Sequence, residues 1–200
     1  MKRLLSILLL SLVGLAGGSY YAVSSLRSTI AKKSFSVQNG CWTVSKNMDL
    51  VDPHQRALIA MAGLFALQSS EVLYFVASKD SDGNPLSSQN DYILEGPAPN
   101  ARYWSYTLYG HDFFLIDNPK NIYGYNMDNI QYINESQDPE MPSNTLGNHQ
   151  IVLSNQEKEQ NWLPSGNEEQ IYINLRMYNP APEVYNNLET IPLPKIKRIP

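Results

Sequence analysis

The chain holds one cysteine, Cys41, in 200 residues. A single thiol excludes an internal disulfide framework and any cysteine-built zinc centre. Cys41 also lies well beyond the N-terminal apolar run, whereas a lipidated cysteine would follow such a run directly. Histidine is nearly as scarce. His54, His111 and His149 form no His-x-His or His-x-x-x-His pair, so their spacing supports no metal site, and they read as solvated or capping side chains. Cations are few in the body of the chain: between Asp49 and Pro194 only Arg56, Lys79, Arg102, Lys120, Lys158 and Arg176 occur. All 19 acidic residues lie from Asp49 onward, and the net charge is -4. Phosphate backbones are held by clustered Lys and Arg, so this composition excludes a nucleic-acid partner. There is no Gly-x-Ser-x-Gly elbow, no phosphate-cradling glycine loop and no dinucleotide fingerprint. No cofactor is implied and no catalytic residue can be assigned.

What is present begins with an apolar run from Leu4 to about Val23, preceded by Lys2 and Arg3 and broken only by Ser and Gly. It is close to the roughly 20 residues needed to cross the hydrocarbon layer. Tyr20 and Tyr21 fall where interfacial aromatics sit, and no clean Ala-x-Ala cleavage site follows. Residues 1–26 therefore read as a membrane anchor in preference to a cleaved signal peptide. Arg27, Lys32 and Lys33 nearly balance Lys2 and Arg3, but the short N-terminal tail favours an exported domain, facing the periplasm of a bacterial inner membrane. Residues 27–47 read as a stalk with a lead-in strand around Phe35–Val37, and residues 48–200 as the folded domain.

That domain opens with a predicted helix. Asp52 is placed to cap it, Pro53 suits its first position, and Gln55 completes a capping-box-like pattern. Ala57, Leu58, Met61, Leu64 and Phe65 then recur at helical spacing. Beyond Ser70 the period becomes strand-like. Val72–Ala77, Tyr92–Glu95, Arg102–Tyr109, Phe113–Ile116, Ile130–Ile133, Gln150–Leu153 and Ile171–Tyr178 are short runs separated by Gly, Pro, Asn and Asp. Many short strands with one amphipathic helix predict a mainly β, antiparallel, jelly-roll-like sandwich. Residues 134–147 read as a long polar loop, and the proline-rich tail from Ile191 as extended chain. Alternation puts Arg102, Trp104, Tyr106 and Leu108 on one face of their strand, and Tyr103, Ser105, Thr107 and Tyr109 on the other. In the last long strand, Tyr172, Asn174, Arg176 and Tyr178 form a polar-aromatic face opposite Ile171, Ile173, Leu175 and Met177.

Several groups invite chemistry. Asp80-Ser-Asp82-Gly-Asn84 resembles a calcium loop, but Pro85 occupies the slot where that loop needs glycine. An acidic turn is the better reading. Glu71, Asp80 and Asp82 could supply paired carboxylates for a hydrolase. Cys41 beside Trp42 reads as a half-buried structural thiol. Arg102 and Arg176 either meet carboxylates as structural pairs or present a planar fork to an anionic ligand. The aromatic side chains either fill the core and its rim or stack on sugars. The candidate ligand-binding set is therefore Arg102, Trp104, Tyr172, Arg176 and Tyr178, with Glu71, Asp80 and Asp82 as acidic members.

The series Asp52-Pro-x-x-Arg56-Ala57, Gly63-Leu-Phe-Ala-Leu67, Glu71-x-x-Tyr74-Phe75, Asp80-x-Asp82-Gly-x-Pro-Leu86, Ala101-Arg102-Tyr-Trp104-Ser105, Asn161-Trp-Leu-Pro164 and Leu175-Arg-x-Tyr178-x-Pro180 resembles the DUF1214 family over roughly residues 40 to 199. The resemblance implies a jelly-roll-like sandwich of the kind that follows a DUF1254 domain in longer proteins. This chain is similar to the short, membrane-anchored form without that domain. The resemblance therefore implies a separate DUF1254-domain protein as a partner, and it carries over no catalytic residues.

Overall fold

The computed structural model describes residues 2–31, 36–45, 67–133 and 147–200. The helix expected from Asp52, with His54 and Arg56, and the loop expected over 134–147 lie outside these residues, apart from Gly147. Helix α1 (Lys2–Ala31) belongs to one compact unit, whereas 36–45, 69–133 and 147–200 form another. Within α1, Arg3–Ser25 is a 23-residue apolar span of mean hydropathy 1.7, with none of it buried. At 1.5 Å per residue it is about 35 Å long, enough for a hydrocarbon layer of about 30 Å. Its length and composition fit a membrane anchor or a signal sequence alike.

The second unit is mainly β. Its strands are β1 (Ser36–Asn39), β2 (Trp42–Ser45), β3 (Val72–Ala77), β4 (Asp91–Pro97), β5 (Ala101–Tyr109), β6 (Gly124–Asn126), β7 (Asn148–Ser154), β8 (Trp162–Pro164), β9 (Tyr172–Pro180) and β10 (Lys195–Ile199), with a short helix α2 (Pro182–Asn186) after β9. One sheet has six strands in the order β1-β2-β3-β9-β5-β6, and the other four in the order β10-β4-β7-β8. All pairs in the first sheet are antiparallel. The second is mixed, because β8 runs parallel to β7. The parallel pair departs from a wholly antiparallel sandwich, and the arrangement establishes the expected mainly β architecture of two sheets. Residues 36–45, expected as lead-in, are a hairpin at the edge of the six-stranded sheet.

One hydrophobic cluster draws on both sheets: Phe75, Trp104, Tyr106, Leu108, Ile173 and Leu175 from the first, and Tyr92, Leu94, Ile151, Leu153 and Ile196 from the second. Each fully buried large side chain contributes about 1.5–3 kcal/mol, so the alternating inward positions carry the fold. The C-terminal strand is tied in closely. Trp42 donates its indole N–H to the Pro194 carbonyl at 2.7 Å, and Gly96 lies so near Pro194 that an added Cβ would stand 2.6 Å from its Cα. β10 then pairs with β4 as an edge strand whose Lys195, Lys197 and Arg198 are exposed. Edge lysines discourage further strand addition.

Two expected strands are turns. In Phe113–Ile116 the chain folds back on itself, Phe113 N–H donating to the Gly110 carbonyl and Gly110 N–H to that of Phe114, both at 3.0 Å. Phe113 has a φ of 63°, which no strand residue adopts. Ile130–Ile133 makes only a single bridge, Tyr132 to His149.

Candidate functional site

β5 and β9 lie side by side at the centre of the six-stranded sheet, Tyr109 opposite Tyr172, Thr107 opposite Asn174, Ser105 opposite Arg176 and Tyr103 opposite Tyr178. The alternation that buries Trp104, Tyr106 and Leu108 turns Tyr103, Ser105, Thr107 and Tyr109 to the other face. Arg176 rises from the middle of this outer surface, half-buried. Its Nη1 donates to Thr107 Oγ1 at 2.9 Å and its Nη2 donates to the Tyr109 hydroxyl at 2.5 Å. The guanidinium carbon stands 5.7 Å from the centre of the Tyr109 ring, within cation–π range. Around it, Tyr103 and Tyr178 are tilted against each other at 5.7 Å, and Phe113 stacks on Tyr172 at 4.7 Å. Burial and the nearby Asp128 raise the Tyr103 phenol above its usual pKa.

The expectation that Arg102 and Arg176 pair with carboxylates fails among the described residues. Arg176 meets only neutral hydroxyls. Arg102 is exposed and has no ion pair or hydrogen bond there. It lies near the start of β5, exposed although its parity matches that of Trp104. Trp104 itself is fully buried. A surface ligand would not meet it.

The acidic candidates are also dispersed in role. Asp80 is buried and shapes its turn: Oδ1 accepts from the backbone N–H groups of Asp82 at 3.0 Å and Asn84 at 2.8 Å. Asp82 is exposed in that turn, and Glu71 is exposed just before β3. Of the eight candidates the outer face therefore gathers three, Tyr172, Arg176 and Tyr178. It adds Tyr103, Thr107 and Tyr109, whose common face alternation already grouped, and Phe113, which the strand reading misplaced. Cys41 is half-buried, its Sγ 4.0 Å from Ser81 Oγ, and burial raises its pKa.

The histidines divide. His111 is exposed and pairs through Nδ1 with Glu168 Oε2 at 2.8 Å, which raises its pKa. His149 corrects the solvated reading. It opens β7 at 0% exposure, stacks on Trp104 at 5.2 Å and lies 3.0 Å from the Tyr106 hydroxyl through Nε2. It therefore joins the two sheets through polar contacts inside the core. Among the described residues its Nδ1 and the Trp104 Nε1 are buried without hydrogen-bond partners. Burial lowers its pKa from 6.5 to about 4. Among the described residues no group of three or more His, Cys, Asp or Glu is placed to hold a metal ion.

Chemically the outer face combines hydrogen-bond donors with aromatic surface. A guanidinium has five N–H donors, and Arg176 directs two of them to Thr107 and Tyr109. Each of those hydroxyls accepts from the guanidinium, so its own proton is free to be donated elsewhere. Guanidinium and two O–H groups converge on one point, rimmed by aromatic rings.

Fold and site together define a two-sheet β domain with a cationic, tyrosine-rich outer face. The family described as "Protein of unknown function (DUF1214)" matches residues 71–182, more than half of the chain. The chain belongs to that family. It is similar in structure to the VPA0106 protein from Vibrio parahaemolyticus, with 24% identity and a TM-score of 0.59 over 96% of this chain and 45% of that one. This chain thus spans less than half the length of that relative. An uncharacterized protein from Burkholderia cenocepacia overlaps at 15% identity and a TM-score of 0.44, over 92% of this chain and 42% of that one. No curated protein matches.

Proposed function

We propose that this protein is a non-enzymatic binding module of the bacterial cell envelope, tethered by α1 with its β domain in the periplasm. It engages its partner through the outer face of the six-stranded sheet. The observation that carries the reading is Arg176, a half-buried guanidinium with hydroxyl partners and no carboxylate among the described residues. Such a group is matched to a carboxylate or another planar anion, which would accept two parallel N–H bonds. The aromatic rim supplies rigid contact area at low entropic cost.

The preferred partner is a DUF1254-domain protein. What supports this is the resemblance of the chain to the short form of its family, together with a solved relative more than twice as long as the part matched here. Co-purification from membranes of the full-length, tagged protein with a co-expressed DUF1254-domain protein tests this. Recovery is expected to fall about tenfold or more in Arg176→Gln, the loss of one charge-assisted bidentate contact. Equal recovery by both proteins, or none by either, would contradict the reading.

A further inference from the structure

The loop after β5 carries apolar surface beyond the Arg176 face, whose rim Phe113 joins by stacking on Tyr172. Phe113, Phe114 and Leu115 are exposed by 64%, 73% and 47%. Scattered apolar side chains on a surface need no explanation, but three in succession mark a contact site. The local chemistry holds them there. Phe114 N–H donates to Asp112 Oδ1 at 3.0 Å, and the positive φ of Phe113 turns the chain at the tip.

Beside these residues runs an open cleft of about 530 Å³, lined by Asp112, Phe114, Leu115, Asp117, Asn167 and Glu168 among others. Its base is already formed. Gly166, at a φ of 62°, lies so close to Ile116 that an added Cβ would stand 2.4 Å from Ile116 Cγ2, locking the two loops together. The charge of the lining is one-sided. Asp112, Asp117 and Glu168 line the cleft and Glu169 follows Glu168. Of the nearby cations, His111 is engaged by Glu168, and Lys120 pairs with Glu157 at 2.9 Å.

We propose that this cleft docks a segment of a partner protein in which Lys or Arg flanks an apolar anchor. The anchor packs on Phe114 and Leu115, and the cation faces Asp112 and Asp117. Apolar contact supplies the affinity, and charge complementarity selects the partner and speeds encounter. The same lining disfavours an anionic lipid surface, which attracts basic segments and repels acidic ones.

The test uses the full-length protein in detergent micelles. The probes are short synthetic peptides alternating Lys with Leu or Phe, and Glu-for-Lys analogues of the same length. The cationic peptides are expected to bind at least about tenfold tighter than the acidic ones, and more weakly as salt is added. Phe114→Ser and Asp117→Asn should each weaken binding, with an unchanged circular dichroism spectrum because both side chains are exposed. Arg176→Gln should leave it unchanged, so failure here is separable from failure of the outer-face reading. Five outcomes overturn the proposal: no binding, equal binding of both peptide types, indifference to Phe114→Ser, binding only to lipid vesicles, and self-association that Phe114→Ser abolishes.

Discussion

Lowering the pH from neutrality towards 4 should loosen the core at one side chain, His149. In the folded protein burial holds its pKa at about 4, against 6.5 ordinarily. The unfolded chain therefore binds the extra proton across that interval, so stability is full above about pH 6.5 and falls as pH falls towards 4. Each pH unit of pKa difference is worth about 1.4 kcal/mol, which makes the total about 3 kcal/mol. That is a large part of the roughly 5–15 kcal/mol stabilising a typical domain. The geometry agrees with the direction, since His149 is enclosed by Trp104, Tyr106 and Tyr132 with no carboxylate against it among the described residues. Urea unfolding of the full-length protein in detergent, followed by tryptophan fluorescence, measures the effect at about pH 7 and about pH 4.5. Wild type should lose roughly 2–3 kcal/mol more between the two conditions than His149→Gln, which has nothing to titrate there. Parallel losses in the two proteins would refute the reasoning, because carboxylate titration is common to both.

Other consequences follow from single contacts. Gly96→Ala would drive a Cβ against the Pro194 backbone at 2.6 Å, where no flexible side chain can yield. A loss of roughly 1–3 kcal/mol in urea unfolding is expected, and an unchanged midpoint would contradict the close approach of β4 and Pro194. His111 should titrate above 6.5 by NMR because Glu168 stabilises its charged form, and Glu168→Gln should bring it down. Any stability from that pair is complete below the unfolded-state pKa and lost as pH rises through the folded one. Burial opposes ionisation of Asp91, but hydrogen bonds from Lys158 and Ser154 together with the Lys158 charge outweigh it and lower its pKa. Lys158→Met should therefore move the Asp91 titration upward; no movement would remove the 2.8 Å ion pair from the account.

Strands that bury one face were legible from alternation alone. Val72–Ala77, Arg102–Tyr109 and Ile171–Tyr178 each coincide closely with β3, β5 and β9, because a period of two is imposed by the core on one side. Strands defined by their neighbours were not. β6 and β8 have three residues each, too short to show a period, and β10 sits in a proline-rich tail whose strand character comes from pairing with β4. Phe113–Ile116 misled for the opposite reason: Phe113, Phe114 and Leu115 form an exposed loop tip, and only Ile116 returns to the core. Within the site, the polar face of β9 and that of β5 were each readable. That they adjoin, so that Arg176 reaches Thr107 and Tyr109, is a matter of strand order, which no local pattern encodes. His149 was misread because burial of an imidazole depends on the opposite sheet, and Trp104, which it stacks on, is remote from it in the chain though adjacent in space.

The central claim is that Arg176 is an open seat for an anion. NMR of the isotopically labelled full-length protein tests it most directly, following the Arg176 side-chain N–H signals as acetate or inorganic phosphate replaces chloride at constant ionic strength. Saturable shifts confined to Arg176 and its neighbours Thr107, Tyr109 and Tyr178, and absent in Arg176→Gln, are the expected result. Signals that stay fixed, or that drift uniformly across the protein, would contradict it.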